Sequence, residues 1–342
     1  MAEDNHTASN QRRIPWLIGW LALGVLLSLW VYADYRLTLD SPLPIRQPMS
    51  FMVKKGQGIA SISHELKQKR ILAEPLWLRV LAYSRGVGQD IKYGEYEIAP
   101  GTTQRGLLEL LVSGKTRLVP VTVIEGWTFA QMRDALARHP GLRQETIGKT
   151  PDEIMALLGA PGLFPEGQFF PDTYFTGKNT SDLDIFRQAH KKMRSVLESE
   201  WNSRMPNLPL NSPEEALTLA SIVEKETGRA SERPAIAGVF IRRLQKGMRL
   251  QTDPTVIYGM GEQFHGNLRK EDLRRDTPYN TYTRHGLPPT PIALPGRDAI
   301  HAALHPTEGT HLFFVAKGDG THIFSTTLEE HERAVDQFQR HR

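Results

Sequence analysis

An uncharged apolar run close to the first residue constrains this 342-residue chain more than any other feature. The run covers residues 14–33, and a helix of that length spans the ~30 Å hydrocarbon core of a membrane. Trp16, Trp20 and Trp30 lie toward its ends, where interfacial aromatic side chains are common. Because the apolar core of a cleaved signal peptide is usually only ~7–15 residues long, we predict an uncleaved transmembrane helix over residues 14–33, after a tail of residues 1–13.

The charges on either side of this run do not decide its orientation. Arg12 and Arg13 precede the run and Arg36 and Arg46 follow it, so the positive-inside asymmetry is weak. Residues 34–50 contain three prolines, and we predict that they form a semi-extended spacer. The rest of the chain is long enough for two domains of roughly 100–200 residues each.

The composition narrows the classes of function. Lys and Arg number 42, Asp and Glu number 38, and the two signs are interleaved, as in residues 269–276. Nucleic-acid-binding proteins usually concentrate basic residues on one stripe or face, so we expect no nucleic-acid partner. The chain contains no cysteine, which excludes disulfides, thiolate zinc sites and a cysteine nucleophile.

An internal repeat follows the spacer. Three segments begin at Gly56, Gly101 and Gly126, each after a β-type run and each with apolar residues 6 and 10 positions later. A residue suited to a helix N-cap stands 2 positions after each glycine. We therefore predict a strand, a glycine turn and a short helix in each copy, within a subdomain of residues 51–140. The first two copies resemble LysM-like glycan-binding modules, and an ordinary α+β packing repeat is the alternative.

Residues 141–342 are predicted to form a second, α+β domain. Its first part is rich in loops, and residues 162–174 combine aromatic residues, prolines and acids in a pattern typical of loops that line sites. A helix is predicted over residues 182–201. The chain ends with a predicted hairpin over residues 311–325 and a helix over residues 328–339.

One helix of this domain has clear end signals and carries two glutamates near its C-terminal end. Ser212 suits the N-cap, Pro213 suits the first turn, and Glu215 completes a capping box. Gly228 suits the C-cap. The helix is therefore predicted to run from about residue 213 to about residue 227.

The two glutamates are predicted to face different sides of this helix. At ~100° per residue, Glu226 falls within the apolar stripe around Leu219, whereas Glu224 faces the opposite side. Burial favours the neutral acid, and the C-terminal end of a helix disfavours negative charge. Both effects make Glu226 a candidate proton donor. The alternative is a buried ion pair with Arg242 or Arg243 of the next helix.

Two further segments carry groups that suit a carbohydrate. The first, residues 250–259, is predicted to be extended with a break at Pro254, and it begins with three polar residues. The second, residues 279–282, combines two aromatic rings with an amide, which suits sugar rings that bear N-acetyl groups. The candidate substrate-binding residues are Gln251, Thr252, Asp253, Tyr279, Asn280 and Tyr282.

Metal and serine-hydrolase chemistry has little support. His301 and His305 have zinc-ligand spacing, but Ala302 stands where an H-E-x-x-H motif has its glutamate. We therefore interpret both as surface or capping histidines and predict no metal. A G-x-S-x-G motif and a glycine-rich phosphate loop are both absent from the sequence, and no cofactor is predicted.

Several motifs together resemble one family, the endolytic murein transglycosylases of the MltG (YceG-like) family. The motifs are ASIVEKET at residues 220–227, RLQTDPTVIYG at 249–259, YNTY at 279–282, FPDTY at 170–174 and GLPP at 286–289. The resemblance covers about residues 50–340. It implies a single-pass protein of the bacterial inner membrane with a cytoplasmic N-terminus, a LysM-like subdomain and a periplasmic catalytic domain. It also implies that Glu226 is the catalytic glutamate.

The resemblance further implies the reaction. Glu226 would protonate the glycosidic oxygen between N-acetylmuramic acid and N-acetylglucosamine, and would then accept the proton of the muramic C6 hydroxyl, which closes a 1,6-anhydro ring. No water is consumed, so one carboxyl suffices where glycoside hydrolases usually employ two. The implied substrate is the nascent peptidoglycan strand, and the implied partners are peptidoglycan synthases (penicillin-binding proteins), so that cutting would end strand elongation.

Two alternatives stay open at this point. A water-using muramidase would need a second carboxylate, for which Asp253, Asp172 and Glu166 are the candidates. A non-catalytic glycan-binding scaffold would need no catalytic carboxylate, and replacement of Glu226 would then change no digestion.

Overall fold

The computed structural model describes residues 14–54, 56–116, 119–177 and 180–340. The chain forms two compact units, which divide between residues 118 and 119. The described ranges contain helices and three two-stranded antiparallel sheets, so the predicted α+β class is confirmed. The predicted tail of residues 1–13 lies outside the described residues.

The first unit is built around one antiparallel pair of strands. Its elements are α1 (Ile14–Asp40), β1 (Met49–Val53), α2 (Ile59–Gln68), α3 (Leu76–Ser84), β2 (Gly94–Ile98) and α4 (Gln104–Ser113). Strand β1 pairs with β2 so that Phe51 lies opposite Tyr96, and both rings are fully buried. Ile62, Leu78 and Leu107 belong to the same core, so α2, α3 and α4 cover the strand pair with their apolar faces.

Helix α1 contains the whole run for which a transmembrane helix is predicted, and it continues to Asp40. The predicted spacer is therefore wrong over residues 34–40, which are helical because Leu39 is buried in the core of the first unit. Between Trp20 and Tyr32 the large apolar side chains are exposed. No helix in the described part of the chain is both long enough and apolar enough to cross a membrane.

The second unit contains the remaining elements. In chain order they are β3 (Val119–Thr122), α5 (Phe129–Ala137), α6 (Pro151–Leu157), β4 (Thr173–Thr176), α7 (Asp182–Asn202), α8 (Pro213–Glu226), a 3₁₀ turn (Ala230–Glu232), α9 (Arg233–Gln245), α10 (Asp253–Met260), a 3₁₀ turn (Gly261–Gln263), α11 (Lys270–Arg274), α12 (Arg297–Leu304), β5 (Phe313–Ala316), β6 (His322–Ser325), α13 (Leu328–Val335) and a π-helical turn (Asp336–Arg340). Strand β3 pairs with β4, and β5 pairs with β6. The predicted hairpin and closing helix near the C-terminal end are therefore confirmed.

The predicted repeat of strand, glycine turn and helix is present in all three places. Gly56, Gly101 and Gly126 have φ angles of 81°, 83° and 76°, in the left-handed region that favours glycine. Strands β1, β2 and β3 precede these glycines, and helices α2, α4 and α5 follow them. The third copy lies in the second unit, because β3 pairs with β4 and α5 packs into the core of that unit. The two compact units therefore meet in sequence between residues 118 and 119, earlier in the chain than the boundary predicted at residue 140.

Helix α8 lies at the centre of the larger core of the second unit. It packs against α7, α9, α10 and α12, and every residue from Ala216 to Val223 is buried. The sequence predicts one apolar stripe on this helix, but neighbouring helices cover its other faces as well. A helix covered on all sides fixes the position of the residues at its end, where Glu226 lies.

Candidate active site

The ends of α8 determine where its two glutamates lie. The Oγ atom of Ser212 accepts a hydrogen bond from the Glu215 amide at 3.2 Å, as predicted for an N-cap. The Glu215 carboxylate, however, accepts from the Asn211 amide at 2.7 Å, one residue before the predicted partner. The helix ends at Glu226, and Thr227 already has extended backbone angles. Glu226 is therefore the last helical residue, two residues before the predicted cap at Gly228.

Glu226 lies at the end of a largely buried helix but remains partly exposed through a cavity. Its Oε1 atom accepts a short hydrogen bond from the Thr252 hydroxyl, and no protein donor among the described residues binds its Oε2 atom. Burial raises the pKa of Glu226 to about 7, and the nearby Asp253 carboxylate acts in the same direction. The Thr252 hydrogen bond and the positive charge of Arg243 oppose this increase.

The alternative interpretation of Glu226 as half of an ion pair is not supported. The Arg243 side chain donates to the carbonyl oxygens of Leu312 at 2.7 Å and Leu250 at 2.8 Å. Arg242 donates to backbone carbonyls as well. Arg243 therefore contributes a fixed positive charge beside Glu226 without a direct ion pair among the described contacts.

Glu226 opens into a cavity of about 500 Å³. The walls come from the start of α10, from β5 and β6, and from the closing helix α13. The lining residues used below are Glu226, Arg243, Gln251, Thr252, Asp253, Tyr282, Phe314 and His322. A cavity of this size with one carboxyl near neutral pKa and several polar walls suits a polar ring such as a sugar.

Four of the six predicted substrate-binding residues line this cavity. Gln251, Thr252 and Asp253 do so from the start of α10, and Tyr282 donates from its hydroxyl to the Asp253 carboxylate at 2.5 Å. The segment that contains the first three is not extended as predicted. Thr252 is the N-cap of α10, and Pro254 occupies the first turn, where its missing N–H leaves no helical hydrogen bond unmade.

The other two predicted residues do not line the cavity of Glu226. Asn280 is 1% exposed, and its side-chain amide donates to three backbone carbonyls, the shortest bond being 2.7 Å to Arg275. Its Oδ1 atom accepts from the Tyr282 amide at 2.8 Å, so Asn280 holds the loop that carries Tyr282. The Tyr279 ring lies 5.0 Å from the ring of Tyr258, at a second cavity.

That second cavity has a volume of about 910 Å³ and contains another buried carboxyl, Glu166. Burial raises the pKa of Glu166 to about 7, as it does for Glu226. Both oxygens of Glu166 are used, since Oε1 accepts from the Phe129 amide at 2.9 Å and Oε2 accepts from the Tyr258 hydroxyl at 3.1 Å. Because these bonds tie the start of α5 to α10, we interpret Glu166 as a structural carboxyl.

The candidates for a second catalytic carboxylate can now be separated. Asp172 bonds to Lys192 and to the Thr173 amide, and it lines neither cavity described above. Glu166 lines the larger cavity, and only Asp253 shares the cavity of Glu226. A second carboxylate for a hydrolytic reaction would therefore have to be Asp253.

The Glu224 side chain is buried as well, although it is predicted to face the side opposite the apolar stripe. Its carboxylate accepts from Arg233 at 2.8 Å and from the Gly296 amide at 2.9 Å, and the two charged side chains are only 5% and 8% exposed. Burial raises the pKa of Glu224, while these bonds act against the increase. The pair fastens the end of α8 to the starts of α9 and α12, beside Glu226.

Several residues of the site were missed from the sequence. His322 and Phe314 line the cavity from the hairpin of β5 and β6, and the Nδ1 atom of His322 lies 2.7 Å from the Glu232 carboxylate. The hairpin itself is predictable, but local patterns contain no signal that it folds against a helix about 90 residues earlier.

The histidine pair lies elsewhere in the second unit. Glu200, His301 and His305 place candidate metal-ligand atoms within 4.8 Å of one another. Each already has a protein partner: Glu200 accepts from Arg297 at 2.7 Å and bonds to His301 at 2.8 Å, while His305 bonds to the Ser203 carbonyl at 2.7 Å. These contacts agree with the interpretation of His305 as a residue at a helix end, since it is the C-cap of α12.

Comparison with known proteins relates this site to a family. Residues 51–337 match the model of the YceG-like family. A Bacillus subtilis protein named endolytic murein transglycosylase is 33% identical over 306 residues, which cover 84% of this chain and 83% of the relative. A Streptococcus pneumoniae protein of the same name is 30% identical over 359 residues, which cover 93% of this chain and 64% of the relative. This chain thus spans about two thirds of the length of the pneumococcal protein.

A solved structure is similar over most of the chain. The crystal structure of a yceG-like protein from Listeria monocytogenes matches with a TM-score of 0.54 and 31% sequence identity. The match covers 85% of this chain and 100% of that chain. A match of this extent includes residues of both compact units.

Proposed function

Because the chain belongs to the YceG-like family, we propose that it is an endolytic peptidoglycan lytic transglycosylase with Glu226 as its catalytic residue. It cleaves the bond between N-acetylmuramic acid and N-acetylglucosamine within nascent strands and leaves 1,6-anhydro-muramic ends. One observation supports this proposal most directly. Glu226 is a carboxyl whose pKa is raised to about 7, and it opens into a cavity with one oxygen bound only by a neutral hydroxyl.

The reaction needs an acid and then a base at the same place. Near neutral pH a substantial fraction of Glu226 carries its proton, which it donates to the glycosidic oxygen as the bond to C1 breaks. The carboxylate that results lies beside the positive charge of Arg243, which stabilises it. The muramic C6 oxygen then bonds to C1, and its proton returns to Glu226.

A water-using muramidase is the second candidate, because Asp253 lies in the same cavity. The Asp253 carboxylate already accepts a hydrogen bond from Tyr282 at 2.5 Å. It also raises the pKa of Glu226, as a neighbouring negative charge does. These contacts favour a role for Asp253 in keeping Glu226 protonated, rather than a role as the base that activates water.

Substrate contacts are proposed for the four residues that line the cavity. Gln251, Thr252 and Asp253 offer amide, hydroxyl and carboxylate groups, and Tyr282 offers the face of a ring. Such a mixture can bind the hydroxyls and N-acetyl groups of an amino sugar. Asn280 supports the loop that holds Tyr282, and Tyr279 lines the second cavity, so we propose no contact of either with the sugar bound at Glu226.

We also propose a role for the first unit and a location for the protein in the cell. The first unit has its own cavity of about 560 Å³, lined by Gln57, Tyr83 and Tyr93 among others, and we propose that it binds glycan as LysM-like modules do. The uncharged run of residues 14–33 and the exposed apolar side chains between Trp20 and Tyr32 support an anchor in the bacterial inner membrane, with the LysM-like subdomain and the catalytic domain periplasmic. Peptidoglycan synthases are the proposed neighbours there.

Digestion of purified glycan strands tests the catalytic proposal. Wild type should release fragments with anhydro ends, whereas Glu226→Gln should release none, and Glu308→Gln on the exposed surface serves as the matched control. Fragments with reducing ends from wild type would favour the muramidase. Full activity of Glu226→Gln would contradict the catalytic role of Glu226, and no digestion by wild type would favour the non-catalytic scaffold.

The anchor is tested separately. The full chain should sediment with membranes, and a chain without residues 1–33 should stay in the supernatant. Equal sedimentation of the two chains would contradict the proposed anchor and leave the catalytic proposal unaffected.

A further inference from the structure

His322 is a second proton-carrying side chain in the cavity of Glu226. It is the first residue of β6, and Glu232 in the 3₁₀ turn before α9 holds it at two points. The Nδ1 atom of His322 lies 2.7 Å from one carboxylate oxygen, and the His322 amide donates to the other oxygen at 3.1 Å. The side chains are 10% and 16% exposed, so the pair is largely shielded from solvent.

The contact with Glu232 determines which ring nitrogen carries hydrogen. A carboxylate only accepts hydrogen bonds, so Nδ1 is the donor, and the neutral ring has its lone pair on Nε2. Burial alone would raise the pKa of Glu232, but its hydrogen bonds from His322 hold that pKa below the ordinary value. Glu232 therefore remains a carboxylate, which orients the ring and stabilises an imidazolium.

The ring is fixed in orientation and lines the same cavity as Glu226. The Phe314 ring meets it edge-on, with centroids 5.5 Å apart and planes at 84°. No protein group among the described residues hydrogen-bonds Nε2, so this atom is available to a ligand in the cavity.

We propose that His322 relays the proton of the muramic C6 hydroxyl to Glu226, an inference that rests on the function proposed above. Glu226 first gives its proton to the glycosidic oxygen, and the bond from C1 to that oxygen breaks. The C6 oxygen then bonds to C1 while Nε2 takes its proton, which leaves an imidazolium between two carboxylates. The imidazolium passes this proton to Glu226, so both groups return to their starting states and no water is consumed.

The charged groups around His322 fit this relay. Glu232 bonds to Nδ1, and the carboxyls of Glu226 and Asp253 line the same cavity as the ring. Positive charge is present as well, since Arg243 lines the cavity and Arg229 lies near Glu232. The ring thus has charged groups of both signs around it, and its Nε2 atom faces the cavity without a protein partner among the described residues.

Two substitutions separate relay from simple support. His322→Ala removes both the base and the group that orients the C6 hydroxyl, so kcat should fall by roughly 10²-fold or more. Water can then compete for C1, and the proportion of reducing ends should rise. His322→Gln places an amide near the position of Nε2 without a group that accepts the proton, so kcat should stay low while the products remain mostly anhydro.

The experiment measures kcat, KM, product masses and melting temperature for wild type, both variants and the exposed control His265→Ala. The relay would be overturned if His322→Ala kept the kcat and the product ratio of wild type. It would also be overturned if His322→Ala lost both stability and kcat and His322→Gln regained both. If wild type releases only fragments with reducing ends, the proposed transglycosylase function itself is contradicted. Failure of the relay alone would instead show anhydro ends from wild type and no effect of the His322 substitutions.

Discussion

Replacing Glu226 by glutamine should make the protein more stable at alkaline pH, even though it abolishes the proposed activity. The pKa of Glu226 is about 7 in the folded chain, compared with 4.5 for an ordinary glutamate. Between pH 4.5 and about pH 7, the folded state therefore keeps a proton that the unfolded state has already lost. The stability due to the neutral acid is fully present below about pH 4.5 and is lost as pH rises through about 7.

The size of the effect follows from the difference in pKa. The folded value lies about 2.5 above the ordinary one, and at 1.36 kcal/mol for each pH unit the loss is about 3 kcal/mol. Glutamine has nearly the same shape and no charge, so it avoids this loss. The stability advantage of Glu226→Gln over wild type should therefore grow by about 3 kcal/mol between about pH 4 and about pH 8.5.

Urea unfolding of the two proteins at several pH values measures this difference. Other carboxyls, such as Glu166, titrate equally in both proteins, so their contributions cancel when the two free energies of unfolding are subtracted. Glu308→Gln on the exposed surface is the control and should show no such growth. A difference between Glu226→Gln and wild type that stays constant across this range would refute the raised pKa and, with it, the role of Glu226 as an acid near neutral pH.

Three further substitutions test other parts of the site. Thr252→Val removes a hydrogen bond that lowers the pKa of Glu226, so the alkaline limb of the pH profile of kcat/KM should move to higher pH; an unchanged limb would contradict the contact. Glu166→Gln should leave kcat/KM within a few-fold of wild type in the same digestion assay, because that carboxyl serves the structure; a loss comparable with that of Glu226→Gln would show a catalytic role. Glu224→Ala leaves Arg233 without its buried partner and should lower the free energy of unfolding by about 3–5 kcal/mol in urea titrations; a change below about 1 kcal/mol would mean that other carboxylates replace it.

Local signals in the sequence predicted the elements that such signals specify. The start of α8 follows from Ser212 and Pro213, and the three glycine turns follow from residues that favour a left-handed backbone. The predicted break at Pro254 is wrong, because this proline lies in the first turn of α10. Proline interrupts a helix in its middle but suits its first turn, and no local pattern shows which position applies.

Contacts between distant segments could not be predicted in this way. The helical face separates Glu226 from Glu224, but it gives no sign that α9 and α12 cover Glu224 or that β6 places His322 in the cavity of Glu226. Burial of a charged residue depends on every element that packs around it, and those elements come from positions up to about 90 residues away.

The two glutamates at the end of α8 show why only one of them can exchange a proton during a reaction. Burial raises the pKa of both, but Glu224 is bonded to the guanidinium of Arg233, and protonating it would leave that cation without its buried carboxylate partner. Glu226 is bonded to the hydroxyl of Thr252, which can accept as well as donate, so either charge state of Glu226 keeps a partner. Of two carboxyls only two residues apart, one is thus fixed as a charge that holds the helix end, and the other is free to lose and regain its proton in the cavity.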